Sequence, residues 1–367
     1  MRFTAVYRVS GGMREARDRA WGICLEQTVE LPEHLVPAGF VREHVVGRVE
    51  SLERCGAGCL ATISYPVAAS AGDLTQLLNV LFGNTSIQPG VRLERLLLPP
   101  ALLRQFAGPR FGVGGLRQRL GVRARPLLCA ALKPLGLPAE ELADLAQRFA
   151  AGGIDIIKDD HGLSNQPYAP FEERVRRCVA AVARANRKTG FRSVYAPNVT
   201  GPHQELVARA RFARARGAGA LLFAPGLAGL DSMRTLAGDP RVDLPILSHP
   251  ALQGSYVVHP DSGISHYALF GQIARLAGAD ASIYPNYGGR FSFSQEECAS
   301  IVEGCRVRMS QLRRIFPCPG GGMRLDQVPG LLTFYGEEAI FLLGRGLLEH
   351  GSDVVENCRV FRKMVER

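Results

Sequence analysis

From about residue 125 onward the chain repeats one pattern eight times: a short apolar run, a few polar residues, then a helical segment. PLLCAALKP (126–134) leads into AEELADLAQRFAAGG, DIIKDD (155–160) into FEERVRRCVAAVARANRKTG, and RSVYAPNV (192–199) into QELVARARFARARGAG. GALLFAPGL (219–227) precedes a shorter, weaker helix, LPILSHP (244–250) precedes ISHYALFGQIARLAGAD, and ASIYPN (281–286) precedes SQEECASIVEGCRVRM. LRRIFPCPGGGM (312–323) and EAIFLLGRG (338–346) open the last two units. Parallel strands buried on both faces give such near-continuous apolar runs. Eight units in about 240 residues match a (β/α)8 TIM barrel. An open doubly wound sheet is the alternative, and the regularity favours closure.

Residues 1–120 read differently. MRFTAVYRV, GRVESLERCGAGCLATISYPV and VRLERLLLP have the look of antiparallel strands, with helical pieces near 33–38 and 73–81. The expectation is an α/β chain: an N-terminal α+β, ferredoxin-like domain at 1–120 and a barrel domain at 121–367. GVGGLRQRLG near the junction faintly resembles a phosphate loop, but its spacing is wrong and a turn is the plainer reading.

Charge and cysteines narrow the class. Net charge is +10, yet the arginines lie in helical stretches such as ARARFARARGAG, among alanines and with a single aromatic, Phe212. That describes a solvated helix face more than a nucleic-acid surface, and it suits an anionic small substrate. The nine cysteines include no CxxC pair, so reduced thiols are expected; Cys55 and Cys59 lack a second pair for a metal. MRFTAVYRV is not a signal peptide and no apolar run is membrane-length, which predicts a cytoplasmic protein without a membrane partner.

Barrel active sites form at the C-terminal ends of strands. Those ends supply Lys133, then Lys158, Asp159, Asp160 and His161, then Asn198, His249, Asn286, Gly320–Gly322, and Gly344 with Gly346. Side chains alternate along a strand, so Ile156, Lys158 and Asp160 share one face and Ile157 and Asp159 the other. A lysine beside two carboxylates is either a plain ion pair or a lysine of lowered pKa that takes up CO2. The resulting carbamate, with Asp160 and His161, would ligate Mg2+. Gly321, Gly322, Gly344 and Gly346 lie where barrels bind phosphate through backbone N–H groups; ordinary loop glycines are the alternative.

GGIDIIKDDH with SNQPYAP resembles the activating-lysine motif of the RuBisCO superfamily. LKP (132–134) is similar to its catalytic-lysine motif, FGN (82–84) to its N-domain asparagine motif, and PGGGM (319–323) and GRG (344–346) to its two phosphate loops. The resemblance implies a homodimer with intersubunit active sites. It implies a carbamylated Lys158 that ligates Mg2+ with Asp160, and a Lys133 that transfers protons. Asn84 and Glu26 would reach across from the partner.

Departures from the family pattern fall on one side. His161 stands in place of a glutamate ligand, and PNYGGRFSF, with Arg290 and Phe291, lacks the loop lysine of carboxylases. His249–Pro250 replaces an HR pair, Ile283 a histidine and Gly320 a serine, and the C-terminal helical extension is missing. Losing charged donors to a dianion costs several kcal/mol, so a bisphosphate fits poorly. A ketose 1-phosphate with an uncharged far end, lined by Pro250 and Ile283, fits better. The pattern resembles the RuBisCO-like proteins, most closely those that isomerise 5-methylthioribulose 1-phosphate in sulfur salvage. His249 and Asn286 would assist. A decarboxylase or hydrolase of a phosphorylated 3-oxo sugar acid is the second expectation, and a non-catalytic regulatory protein the third.

Overall fold

The computed structural model describes residues 1–289, 291 and 293–366. The N-terminal strand β1 (Arg2–Ser10) buries Phe3, Ala5, Tyr7 and Val9 and leaves the alternate positions half-exposed. That period of two gives an antiparallel sheet one covered face. Antiparallel pairing with β3 (Gly58–Pro66) and β4 (Val91–Leu97), and of β2 (Arg48–Cys55) with β3, builds the sheet. Its cover includes the helix Met13–Glu26, which buries Ala16, Ala20, Ile23 and Cys24. The helical pieces expected near 33–38 and 73–81 are a short turn, Glu33–Leu35, and the helix Leu74–Phe82.

All eight expected β–α units are present. The barrel strands are β5 (Leu127–Leu132), β6 (Ile156–Asp159), β7 (Val194–Ala196), β8 (Leu221–Phe223) and β9 (Ile246–Ser248). A two-residue strand, β10 (Gly263–Ile264), leaves the barrel and pairs with β4 of the N-terminal sheet. β11 (Ala281–Pro285), β12 (Phe316–Gly320) and β13 (Ile340–Leu343) complete the parallel sheet, in the order β7-β6-β5-β13-β12-β11-β9-β8. An Asn198–Leu222 bridge, with Val199 N–H donating to Leu222 O at 3.0 Å, joins β7 to β8 and closes the ring.

GVGGLRQRLG is neither loop nor turn. Gly112–Leu120 is a helix whose Val113, Leu116 and Leu120 pack with Leu127, Cys129, Ile156 and Phe316 of the barrel interior. The Asp280 carboxylate ties it there, accepting from the N–H groups of Phe111 and Gly112 at 2.7 Å each and from Ile246 N–H at 2.9 Å. The barrel unit therefore starts by residue 112, ahead of the 120/121 boundary read from sequence. All nine cysteines are free thiols, with only Cys55 partly exposed. Among the described residues no helix is long and apolar enough to cross a membrane.

Candidate active site

β6 alternates as its sequence requires. Ile156 packs inside the barrel and Ile157 against the surrounding helices. Lys158 follows Ile156 inward and is 2% exposed. Its Nζ donates to the Asp159 carbonyl at 2.9 Å, and neither neighbouring carboxylate pairs with it. Burial lowers its pKa from the usual lysine value and outweighs Cys129, Asp160 and Cys318, which act to raise it. The plain Lys158–carboxylate ion pair is thus not the arrangement.

Asp159 points outward and is fully buried. It accepts from Arg174 Nε at 3.1 Å, Tyr195 OH at 2.6 Å and Asn198 N–H at 2.9 Å. Arg174, also fully buried on the helix Phe171–Thr189, spends its other donors on the carbonyls of Ala169 and Ser164. A buried carboxylate needs such compensation. Asn198 holds the same loop by donating to the His161 and Leu163 carbonyls, the turn-forming role, and Arg209 donates to Ser164 Oγ at 3.0 Å. Arg174, Tyr195 and Arg209 were not singled out in the sequence; only partnership with Asp159 and the β6 loop marks them.

Asp160 returns to the inner face, nearly buried, at the strand end. Lys133 Nζ, from the end of β5, lies 2.5 Å from Oδ2, while His161 Nδ1 (3.2 Å) and Gly162 N–H (3.1 Å) reach Oδ1. Burial alone would raise this carboxyl. The bonds from His161, Lys133 and Gly162 outweigh it and hold the group well below the usual carboxylate range. The exposed His161 ring stacks on His249, with centroids 4.5 Å apart and planes 9° from parallel. Burial, reinforced by Lys158 and His161, pushes His249 down to about 2, so its imidazole is neutral. Ala251 N–H donates to His249 Nδ1 at 3.2 Å, which puts the ring proton on Nε2.

Across the mouth, β12 ends at Gly320, and Gly321 and Gly322 adopt φ of +92° and +114°. These left-handed angles suit glycine and turn successive N–H groups to one side. A Cβ on Gly346 would stand 2.1 Å from Met323 O, so the loops after β12 and β13 touch backbone to backbone. Among the described residues the N–H groups of Gly321, Gly322 and Gly344 donate to no protein acceptor. Cys318, whose charge state couples to Lys158, lies two residues before Gly320 on the same inward face. Lysine and glycine loop therefore look into one barrel mouth.

The remaining expected residues fall in three places. Asn286 is buried just past β11 and its carboxamide oxygen accepts from Tyr335 OH. Asn84 is exposed on the N-terminal domain and donates to Glu26 (2.9 Å) and Glu30 (3.2 Å), not to this chain's barrel mouth. Ile283 is buried in the barrel interior, Pro250 is half-buried, and Phe291 stands half-exposed beside Gly321. Arg290 lies outside the described residues. Among the described residues no three His, Cys, Asp or Glu side chains converge as a metal site. Asp160 and His161 could offer two donors, and an oxygen on Lys158 would be the third.

Residues 112–366 match the family described as "Ribulose bisphosphate carboxylase large chain, catalytic domain". The 5-methylthioribulose-1-phosphate isomerase of Rhodospirillum rubrum is 39% identical over 98% of this chain and 95% of its own. The 2,3-diketo-5-methylthiopentyl-1-phosphate enolase of Bacillus pumilus is 33% identical over 96% of this chain and 88% of its own. The crystal structure of a Rubisco-like protein from Rhodopseudomonas palustris superposes with a TM-score of 0.90 at 35% identity, covering 100% of this chain and 97% of that one. With two domains, a closed barrel and the ordered motifs in place, the chain belongs to the RuBisCO large-chain family, among its RuBisCO-like proteins.

Proposed function

We propose that this chain moves a proton between carbons beside a carbonyl of a phosphorylated ketose, with 5-methylthioribulose 1-phosphate as the favoured substrate. One observation carries the reading: a buried amine, a carboxylate and a second lysine share the barrel mouth with glycine N–H groups that donate to no acceptor among the described residues. The relative named for that isomerisation aligns end to end.

The lowered pKa leaves more of Lys158 as neutral amine, the form that takes up CO2. The nitrogen bonds to carbon, one proton leaves, and a carbamate results. The donor set then fits a divalent ion. Carbamate and Asp160 offer hard oxygens, and His161, with Nδ1 facing Asp160, keeps Nε2 for the ion. When bound, Mg2+ supplies Lewis-acid stabilisation of negative charge beside the reacting carbon.

The chain's own groups supply the rest. Lys133 Nζ, half-exposed at Asp160, and the Lys158 carbamate would share the taking and returning of the proton. His249, kept neutral, presents Nε2–H to a substrate oxygen. Gly321, Gly322 and Gly344 receive the phosphate on backbone N–H groups. The far end meets Pro250 and Ile283, neither of which can hold a second phosphate. In a homodimer, Glu26 and Asn84 would complete the mouth from the second copy.

The test is solvent-deuterium incorporation into 5-methylthioribulose 1-phosphate, in D2O with Mg2+ and bicarbonate. Incorporation and isomer formation are expected, and no exchange with this ketose would sink the reading. The enolase relative gives a second arm. Exchange into 2,3-diketo-5-methylthiopentyl 1-phosphate alone would keep the site chemistry and move the substrate. Release of CO2 from a phosphorylated 3-oxo acid would point to decarboxylation, and no exchange with any of them to a binding protein.

A further inference from the structure

The helix Val328–Tyr335 ends on a tyrosine that is 1% exposed. Its hydroxyl donates to Asn286 Oδ1 at 2.5 Å. Ile283 faces the barrel interior and Tyr284 the helix layer, so by alternation Asn286 leans outward toward Tyr335. The Asn286 backbone N–H meanwhile donates to Gly320 O at 2.8 Å, in register with the Pro285–Gly320 pairing of β11 and β12. Asn286 is therefore held from both sides, by the first residue of the glycine loop and by a phenol behind the barrel wall.

The next residues continue the contact. The Tyr287 ring meets Phe334 edge-on, with centroids 5.0 Å apart and planes at 70°. A Cβ on Gly289 would stand 2.4 Å from Gly321 O, so this loop lies flat on the glycine loop. A buried hydroxyl is costly unless it is bonded. Phenylalanine would fill the same space, so what the hydroxyl adds is polar contact, led by the bond to Asn286. The Tyr284 hydroxyl and the Cys298 thiol lie within polar reach of the same phenol, and Asn286 Oδ1 is the acceptor to which it donates at hydrogen-bond geometry.

We infer that Tyr335 is a positioning residue for the anion cradle: through Asn286 it clamps residues 286–289 onto Gly320–Gly322 and fixes the direction of their N–H groups. This rests on the reading of those glycines as a phosphate site.

The test uses the full chain, Tyr335→Phe, Asn286→Ala and the double variant. Two quantities are read: the Kd for inorganic phosphate, and amide exchange at 286–289 and 320–322. Each single change should weaken phosphate binding about fivefold, the loss of one net hydrogen bond, and the double no more than either alone. Exchange should quicken in those two segments and not in the N-terminal sheet. Unchanged phosphate affinity with unchanged exchange in Tyr335→Phe overturns the inference. So do effects that multiply in the double variant, since Tyr335 would then act apart from Asn286. Should Tyr335→Phe fail to fold, Asn286→Ala carries the same expectation of faster exchange at 320–322. If the wild-type chain binds no phosphate, the phosphate reading falls, and the exchange data still decide whether Tyr335 holds the loop.

Discussion

At the β5–β6 side of the mouth, Lys133, Lys158 and Asp160 bring charge into a nearly closed space. At the β12–β13 side, Gly320–Gly322, Gly344 and Gly346 bring only backbone. The first arrangement is expensive to desolvate and leans on a further layer, Arg174 and Tyr195 on Asp159. The second costs little charge but needs backbones in contact, and any added atom at Gly346 spoils it. A site split this way should fail differently at its two ends: chemistry or folding at one, affinity at the other.

The sharpest break is Lys158→Met. It keeps an unbranched chain and removes the amine, so deuterium exchange under Mg2+ and bicarbonate should fall about 10²–10⁴-fold. Near-normal exchange would remove Lys158 from the chemistry and make the two ends alike. Arg174→Met comes next. Truncating one partner of a buried ion pair costs about 3–5 kcal/mol, so unfolding by denaturant should show a loss of that size. A loss under about 1 kcal/mol would mean that Tyr195 and the Asn198 N–H suffice for Asp159. Gly346→Ala should weaken phosphate binding and take a smaller toll on the unfolding midpoint than Arg174→Met. Overpacking costs about 1–3 kcal/mol, here spent on separating the loops after β12 and β13. A variant with full phosphate affinity would show that the cradle does not depend on that contact.

The same contrast decides what was legible in the sequence. The eight apolar runs and the shared inward face of Lys158 and Asp160 follow from strand alternation, and the structure has both. The glycine loops were legible as positions because glycine at a strand end marks a backbone requirement. Arg174 was not, since it lies fifteen residues past Asp159 on a helix full of arginines, and only folding separates it from its exposed neighbours Arg176 and Arg177. The helix Met13–Glu26 escaped because half of its buried face is alanine and its sequence carries six charged residues, MREARDRAWGICLE. The helix Gly112–Leu120 escaped because its three glycines suggested a turn, whereas two of them, Gly112 and Gly115, let the backbone approach Arg314 and Phe111 closely. Asn286 was legible as a strand-end residue, but its partner Tyr335 comes from a helix 49 positions on.

The smallest expected effect concerns Lys133, and it runs against intuition. Its ammonium already sits on Asp160 Oδ2, an oxygen that the proposed Mg2+ would take. A divalent ion arriving there must displace or tolerate that positive charge, so Lys133 opposes the ion while serving the reaction. Lys133→Met should therefore bind Mg2+, or Mn2+ as a probe, more tightly in the presence of bicarbonate. A half-exposed pair is worth about 1 kcal/mol at most, which sets the gain at roughly fivefold. Calorimetry with Mg2+, or Mn2+ titration read by paramagnetic resonance, measures it without substrate, while deuterium exchange in the same variant should collapse. Tighter metal with lost exchange separates Lys133 from Lys158, whose removal should lose both. Equal or weaker metal affinity would place the ion away from Asp160 Oδ2, and the charged end of the mouth would need another arrangement of ligands.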